Sequence, residues 1–316
     1  MKKIFTRALI AGAVLALGAQ GLQAEGFDHL LIIGDATPGV WSINDGLMMV
    51  QDAQNPNVFR YTGWLKGNQN FKFTADNNFN NSELELRNAN DDAYDCTKLV
   101  PANKAGNDNQ FKVADDGNYD VTVNVSDLTI DVSKADYQDK PIRYNVIYAV
   151  GSATPGNWDL GSKATPLYNT KANPFELSTD VPLKSDGDKD GEFKLCANPY
   201  ANWGGVWFHP YYEKDSDNKV IDSTIDYNKL TDDNSNDVKW KVTPAEAGNY
   251  VLRLNPEAMT FAKTKLTATG VENVNIEAAD GAAIYYTLTG VRMHEPRKGT
   301  VCIEVRADGT AHKIIF

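Results

Sequence analysis

The sequence is poor in the side chains from which metal and catalytic sites are usually built. Its four histidines, His29, His209, His294 and His312, lie in separate segments without the spacing of a metal site. It contains no Gly-x-Ser-x-Gly turn, no His-Glu-x-x-His motif and no phosphate-binding P-loop. We therefore expect no metal site, no cofactor and no catalytic activity.

Cysteine is scarce as well, because only Cys96, Cys196 and Cys302 are present. They are an odd number and lie about a hundred residues apart, whereas a disulfide framework needs pairs at local spacings. We expect three free thiols. One bridge between distant segments is the alternative.

Long hydrophobic runs are also missing, apart from one at the start of the chain. Three basic residues precede an apolar stretch over residues 8–17, and the small residue Ala24 precedes Glu25. This pattern is typical of a secretory signal peptide over 1–24, and the run is too short to span a bilayer in the mature protein. No cysteine follows the cut to carry a lipid. We expect a secreted protein, extracellular or at the outer-membrane surface, with no transmembrane segment.

Positive charge is in deficit. The formal net charge is −11, and loss of the three basic residues within 1–24 would make it −14. An acidic surface repels nucleic acid and anionic membranes, so we expect neither as a partner. The hydrophobic content of 42% and the aromatic content of 10% are enough for folded cores.

The most informative feature that is present is an internal repeat. Gly-Asp-Ala-Thr-Pro-Gly-Val-Trp at residues 34–41 returns as Gly-Ser-Ala-Thr-Pro-Gly-Asn-Trp at 151–158. Two further pairs of blocks follow in the same order, Phe-Lys-Phe (71–73) with Phe-Lys-Leu (193–195), and Gly-Asn-Tyr at both 117–119 and 248–250. Ordered blocks at rising offsets indicate a duplication with loop insertions in the second copy.

The blocks have the pattern of β-strands. Apolar residues alternate over 59–65 and 177–183, and hairpins are predicted at 119–130 and 250–261. No segment has a helical apolar spacing. We predict an all-β protein of two tandem immunoglobulin-like β-sandwiches and a small C-terminal β unit.

The repeat also predicts the domain organisation. After a signal peptide over 1–24, the first module spans 26–134 and the second 142–268, with a polar linker between them. A tail at 270–316 carries three further predicted strands, at 284–288, 300–305 and 312–316. A glycosidase needs two carboxylates in a cleft. Modules of this size leave no room for the large barrel that such enzymes often use.

The opening blocks at 34–41 and 151–158, with the Phe-Lys-Phe triplet, resemble the starch-binding domains of the SusE/SusF family of outer-membrane starch-utilisation proteins. The resemblance covers both modules. It implies a starch-binding-type β-sandwich that binds α-glucan and performs no reaction.

The tail resembles the C-terminal sorting domains of type IX secretion, on the strand, Gly-x-Arg turn and Pro-x-Lys-Gly turn over residues 284–299. This second resemblance implies an outer-membrane transport or secretion machinery as a possible partner.

Candidate binding residues follow from the chemistry of sugars, whose apolar C–H faces stack on aromatic rings while polar side chains bind the hydroxyls. The second module offers Trp158, Trp203 and Trp207, with Asn202 and Lys194 nearby. The alternatives are that Trp158 plugs the end of the sandwich and that Lys194 is merely solvated.

The first module offers Trp41, Lys72 and Phe79, and we expect it to bind weakly or not at all because Phe79 stands where the second module has a tryptophan. An Asp-rich loop over 186–192 resembles the start of a calcium loop, but Ala197 occupies the position of the bidentate glutamate. We interpret it as a hairpin loop. The leading hypothesis is a polysaccharide-binding protein for starch-like α-glucan. The alternative is a structural or adhesive surface protein.

Overall fold

A computed structural model describes residues 26–266 and four short segments beyond them, 284–286, 292–293, 301–305 and 311–315. The predicted signal peptide lies outside the described residues. Residues up to Leu266 form one compact unit, and Thr267–Phe316 form a second. Strands dominate the described residues of both units, and the helical part of those residues is two short 3-10 turns, Ala102–Lys104 and Gly161–Lys163. The predicted all-β class is confirmed.

The first half of the larger unit, residues 26–134, consists of two antiparallel sheets. Its strands are β1 (Leu31–Ile33), β2 (Leu47–Met48), β3 (Val50–Gln51), β4 (Val58–Leu65), β5 (Lys72–Thr74), β6 (Glu85–Asn88), β7 (Leu99–Pro101), β8 (Gly117–Asn124) and β9 (Thr129–Lys134). One sheet has the order β2-β1-β5-β6-β7 and the other β3-β4-β8-β9. Alternate residues of β4, such as Phe59 and Tyr61, are buried, as are Phe71, Phe73 and Phe111. These side chains fill the space between the sheets.

The second half, residues 142–266, also has nine strands, most of them longer. They are β10 (Val146–Val150), β11 (Thr165–Thr170), β12 (Asn173–Leu183), β13 (Gly191–Cys196), β14 (Trp207–Lys214), β15 (Val220–Thr231), β16 (Trp240–Val242), β17 (Gly248–Asn255) and β18 (Thr260–Lys265). They form one sheet in the order β10-β11-β12-β17-β18-β15-β14-β13-β16, and β10 also pairs with β13. The sheet closes on itself through the β10–β13 pair, and the β14–β15 hairpin joins β13 to β18, where Lys229 pairs with Thr260. In the first half, a bridge between Lys98 and Thr129 makes the corresponding contact.

The repeated eight-residue block is a turn with the same hydrogen bonds in both halves. The Gly34 amide donates to the Val40 carbonyl at 2.8 Å, and the Gly151 amide donates to the Asn157 carbonyl at 2.9 Å. The threonine hydroxyl of each block donates to the carbonyl of its first glycine at 2.9 Å. The φ angles of Gly34 and Gly151 are +139° and +156°, and an added Cβ would overlap the carbonyl oxygen of Asn70 or Glu192, respectively. The block therefore ends β1 or β10 and holds the backbone of the tryptophan at its own last position.

The two halves pack closely. The Asn145 side chain accepts from the Thr62 amide and donates to the Thr62 carbonyl, both at 2.7 Å. Leu31, Met48 and Val146 form a shared apolar cluster. Because Asn145 is buried and both of its bonds reach the other half, this contact fixes how the halves are placed.

The smaller unit contains β19 (Ile284–Tyr286), β20 (Arg292–Met293), β21 (Val301–Val305) and β22 (Ala311–Ile315) in the order β20-β19-β21-β22. Most of the sorting-like turns over 287–300 lie outside the described residues. Within the described ranges, no helix is long and apolar enough to cross a membrane.

All three cysteines are free thiols in the structure. The Asp-rich loop is a tight hairpin, in which the Asp186 and Lys189 backbones exchange hydrogen bonds of 3.0 and 3.1 Å. No group of three or more metal-ligating side chains occurs in the part of the chain that the structure describes.

Candidate functional site

Three tryptophans of the second half lie together on the outer face of its sheet. The ring centroids of Trp158 and Trp203 are 6.2 Å apart, with the ring planes inclined by 42°. Trp203 also stacks on Trp207, with centroids 5.4 Å apart and planes within 8°. Trp203 is 45% exposed and Trp158 is partly exposed, whereas Trp207 is only 2% exposed. Two indoles therefore form a bent aromatic surface, and the third supports it from below.

The loop that carries Trp203 is held in an unusual backbone conformation. Asn202 and Trp203 have φ angles of +45° and +69°, a region that bulky side chains rarely adopt. The Trp207 indole nitrogen donates to the carbonyls of Trp203 and Gly204, both at 3.1 Å. The buried tryptophan thus fixes the loop, and the loop turns the Trp203 ring outward.

A pair of lysines and an aspartate line the edge of this surface. Lys194 Nζ lies 3.0 Å from an Asp237 carboxylate oxygen, and Lys239 Nζ lies 2.7 Å from the other. Lys194 Nζ is also 4.4 Å from the Trp207 ring centroid, and Lys239 Nζ is 5.9 Å from that of Trp158. We call Trp158, Trp203, Trp207, Lys194, Lys239 and Asp237 cluster 2.

The charges of cluster 2 are held in place by one another. Burial alone would raise the pKa of Asp237, but hydrogen bonds and positive charge from Lys239 and Lys194 outweigh it and lower this pKa below its usual value. The carboxylate is largely exposed and retains free acceptor positions. Cluster 2 thus combines a bent apolar surface with charged hydrogen-bonding groups at its rim.

The equivalent cluster of the first half, cluster 1, consists of Trp41, Phe79, Lys72, Glu85 and Asp108. The Trp41 and Phe79 rings meet edge to face, with centroids 6.3 Å apart and planes inclined by 70°. Lys72 Nζ lies 4.9 Å from the Phe79 ring centroid and 5.5 Å from that of Trp41. Phe79 is 41% exposed and Trp41 partly so. This aromatic surface is smaller, because a phenyl ring stands in place of the second indole, and its two rings are more steeply inclined.

The largest difference between the clusters lies beneath the lysine. Thr74 and Cys196 are equivalent in the repeat, because each directly follows its triplet at 71–73 or 193–195. Glu85 pairs with Thr74 and Trp207 pairs with Cys196. Glu85 therefore occupies the place that Trp207 has in the second half. Glu85 is fully buried and pairs with Lys72 at 2.6 Å and with Arg87 at 2.9 Å. Lys72 is therefore held inward by a buried carboxylate, and it is itself buried. The Lys194 ammonium instead rests on an indole.

The structure brings the predicted site residues together in two groups, but it places some of them differently from their predicted roles. Lys72 and Trp207 are buried, so they support the surface from beneath. Asn202 is exposed in the loop beside Trp203. Lys194 is mostly buried and paired with Asp237 rather than free in solvent.

Sequence reasoning missed the acidic partners. Asp108 lies 3.3 Å from Lys72 Nζ, just as Asp237 pairs with Lys194. Both aspartates precede an aromatic residue, Phe111 or Trp240, by three positions. That shared spacing was a usable signal within the repeat. Glu85 offered none, because the second half has tryptophan there.

Comparison with known proteins finds a family match for part of the chain. Residues 29–131 match the family model described as SusF/SusE starch-specific carbohydrate-binding modules. That description names a binding module and no reaction, in agreement with the prediction that the chain is not an enzyme. No curated protein shows significant sequence similarity to the chain. The crystal structure of SusF from Bacteroides thetaiotaomicron is similar at 16% identity with a TM-score of 0.31, covering 88% of this chain and 55% of that one.

Proposed function

We propose that this chain binds starch-like α-glucan without chemical turnover, and that cluster 2 is its principal binding site. The observation that carries the proposal is the pair of solvent-facing indoles, Trp158 and Trp203, inclined by 42° beside a Lys194–Asp237 pair. The family match over residues 29–131 supports starch as the ligand class.

The physical basis is desolvation of a sugar face against a rigid ring. An indole can cover the C–H face of a hexose without losing much side-chain entropy, because Trp207 and the loop hydrogen bonds already hold Trp203 in place. The ring hydroxyls need replacement partners for water, which Asp237 can accept from and Lys194 can donate to.

The angle between the rings favours one class of glucan. Two coplanar rings would suit a flat, β-linked chain, whereas rings inclined by 42° suit successive sugar faces of a curved, α-linked chain. The proposed ligand is therefore an α-glucan rather than a cellulose-like polymer.

The proposal extends to organisation and location. Modules at 26–134 and 142–268, a tail at 270–316 and a signal peptide over 1–24 together fit a protein exported to the outer-membrane surface or the medium. A secretion machinery that reads the tail is the proposed partner there. Recovery of the chain outside the inner membrane, starting near Glu25, tests this part of the proposal.

The binding proposal is tested by affinity electrophoresis of residues 25–316 in native gels that contain starch, glycogen or a soluble cellulose derivative. We expect retardation by the two α-glucans and none by the cellulose derivative. Trp158→Ala and Trp203→Ala should each remove most of the retardation. Equal mobility of the wild type in all gels would contradict the proposal and favour the structural or adhesive alternative.

A further inference from the structure

The loops that carry the exposed aromatic residues of the two clusters touch each other. Asn44 lies three residues after Trp41, and it meets Gly204 and Gly205, which directly follow Trp203. A Cβ added to Gly205 would overlap the Asn44 carbonyl oxygen, so only glycine allows this approach. The Asn198 side chain at the start of the second loop donates to the Ile43 carbonyl at 3.1 Å.

Both clusters also lie on the sheet faces by which the halves pack. In the first half, Ile33 pairs with Lys72 and Leu31 with Met48, so Leu31, Met48 and Lys72 share one face. In the second half, Val150 pairs with Lys194, which puts Val146 on the face of Lys194. The apolar cluster of Leu31, Met48 and Val146 joins these faces. Clusters 1 and 2 therefore lie on either side of one seam.

The seam is too well packed to act as a flexible hinge. His29 of the first half stacks on Tyr200 of the second, with ring centroids 3.6 Å apart and planes within 8°. The buried amide of Asn145 adds its two bonds across the halves. Since chain geometry limits the Cα atoms of Trp41 and Trp203 to at most about 25 Å apart, the two aromatic surfaces have a short and fixed separation.

We propose that clusters 1 and 2 are two parts of one extended site, and that a single linear α-glucan chain lies across the seam and contacts both. This inference rests on the proposed function. Cluster 1 is too small to hold a short oligosaccharide by itself. It gains occupancy once cluster 2 has captured the same chain, because the second contact is then intramolecular.

The test compares maltotriose with a long linear amylose fragment by isothermal titration calorimetry on residues 25–316. We expect one fragment per protein and an affinity at least about tenfold above that of maltotriose. Trp41→Ala and Phe79→Ala should each leave the maltotriose affinity unchanged and bring the fragment's affinity down toward it. Trp203→Ala should weaken the binding of both ligands.

The possible failures are distinguishable. If maltotriose binds but the fragment binds no more tightly, or binds equally well to Trp41→Ala and Phe79→Ala, the extended site is refuted and cluster 2 stands alone. If neither ligand binds the folded wild type, the proposed function itself is refuted, and the extended site with it.

Discussion

Replacing Trp203 with alanine separates binding from folding more cleanly than any other change in cluster 2. The ring is 45% exposed and rests on Trp207, so its removal takes away half of the bent surface without opening the core. Truncation of an aromatic hot spot typically costs about 2 kcal/mol or more of binding free energy, a fall in affinity of roughly thirtyfold. We expect a loss of that size for maltotriose.

The cost in stability should be smaller than that of a core mutation. Trp203 makes two ring contacts, with Trp158 and Trp207, and each is worth about 0.5–1.5 kcal/mol. Trp203→Ala should therefore lower the free energy of unfolding by about 1–3 kcal/mol. Truncation of the buried Trp207 should cost about 3–5 kcal/mol.

Calorimetric titration with maltotriose measures the loss of affinity, and urea unfolding of the same samples measures the loss of stability. Phe79→Ala is the matched control, because Phe79 is similarly exposed at 41% but belongs to cluster 1. It should leave maltotriose affinity unchanged. Trp203→Phe should recover part of the lost affinity, since a ring returns to the surface. The reasoning is refuted if folded Trp203→Ala binds within twofold of the wild type.

Three further changes probe the supports of the site. Gly151→Ala would bring its Cβ onto the carbonyl oxygen of the facing strand, and it should lower the free energy of unfolding, measured in urea, by more than about 2 kcal/mol. Gly187→Ala is the control, because Gly187 also has a positive φ but has open space around it, and it should lower that free energy by about half as much or less. Asn145→Ala leaves the backbone amide and carbonyl of Thr62 without these partners, and it should lower the free energy of unfolding by about 2–4 kcal/mol. No measurable change would show that the seam does not need the Asn145 side chain. Burial, aided by nearby negative charge, raises the pKa of the Cys96 thiol to about 11. At pH 7, a thiol reagent should therefore modify Cys96 rapidly only after the protein unfolds. Fast modification of Cys96 in the native protein would contradict its placement.

Features set by neighbouring residues were predictable from the sequence. The block at 34–41 encodes its own turn, because the glycine, the threonine and the closing hydrogen bond all lie within eight residues. Its return at 151–158 therefore predicted the same geometry, with a tryptophan held at the same place in both halves. Alternation over 59–65 likewise predicted the buried side of β4.

Features set by contacts between distant strands were not predictable in the same way. That Trp207 lies beneath Trp203 depends on the pairing of β13 with β14 and on the positive φ angles of the loop between them. The closure of the second sheet likewise depends on the pairing of β15 with β18 and of β10 with β13, which are distant in the chain. Neither follows from local periodicity, because a shift of one residue in register would turn every side chain to the other face.

The two clusters show how a duplicated framework can keep one interaction and change its setting. Both halves retain a lysine paired with an aspartate beside two aromatic rings. In the first half, Glu85 lies beneath Lys72 and adds a buried carboxylate, so the ammonium is neutralised inside the fold. Moving Lys72 toward a ligand would leave Glu85 buried with one partner fewer. In the second half, Trp207 takes the place of Glu85, and Lys194 can shift over the indole toward a sugar hydroxyl without leaving a buried charge uncompensated. The exchange of one side chain beneath the lysine thus explains why the second half should carry most of the binding.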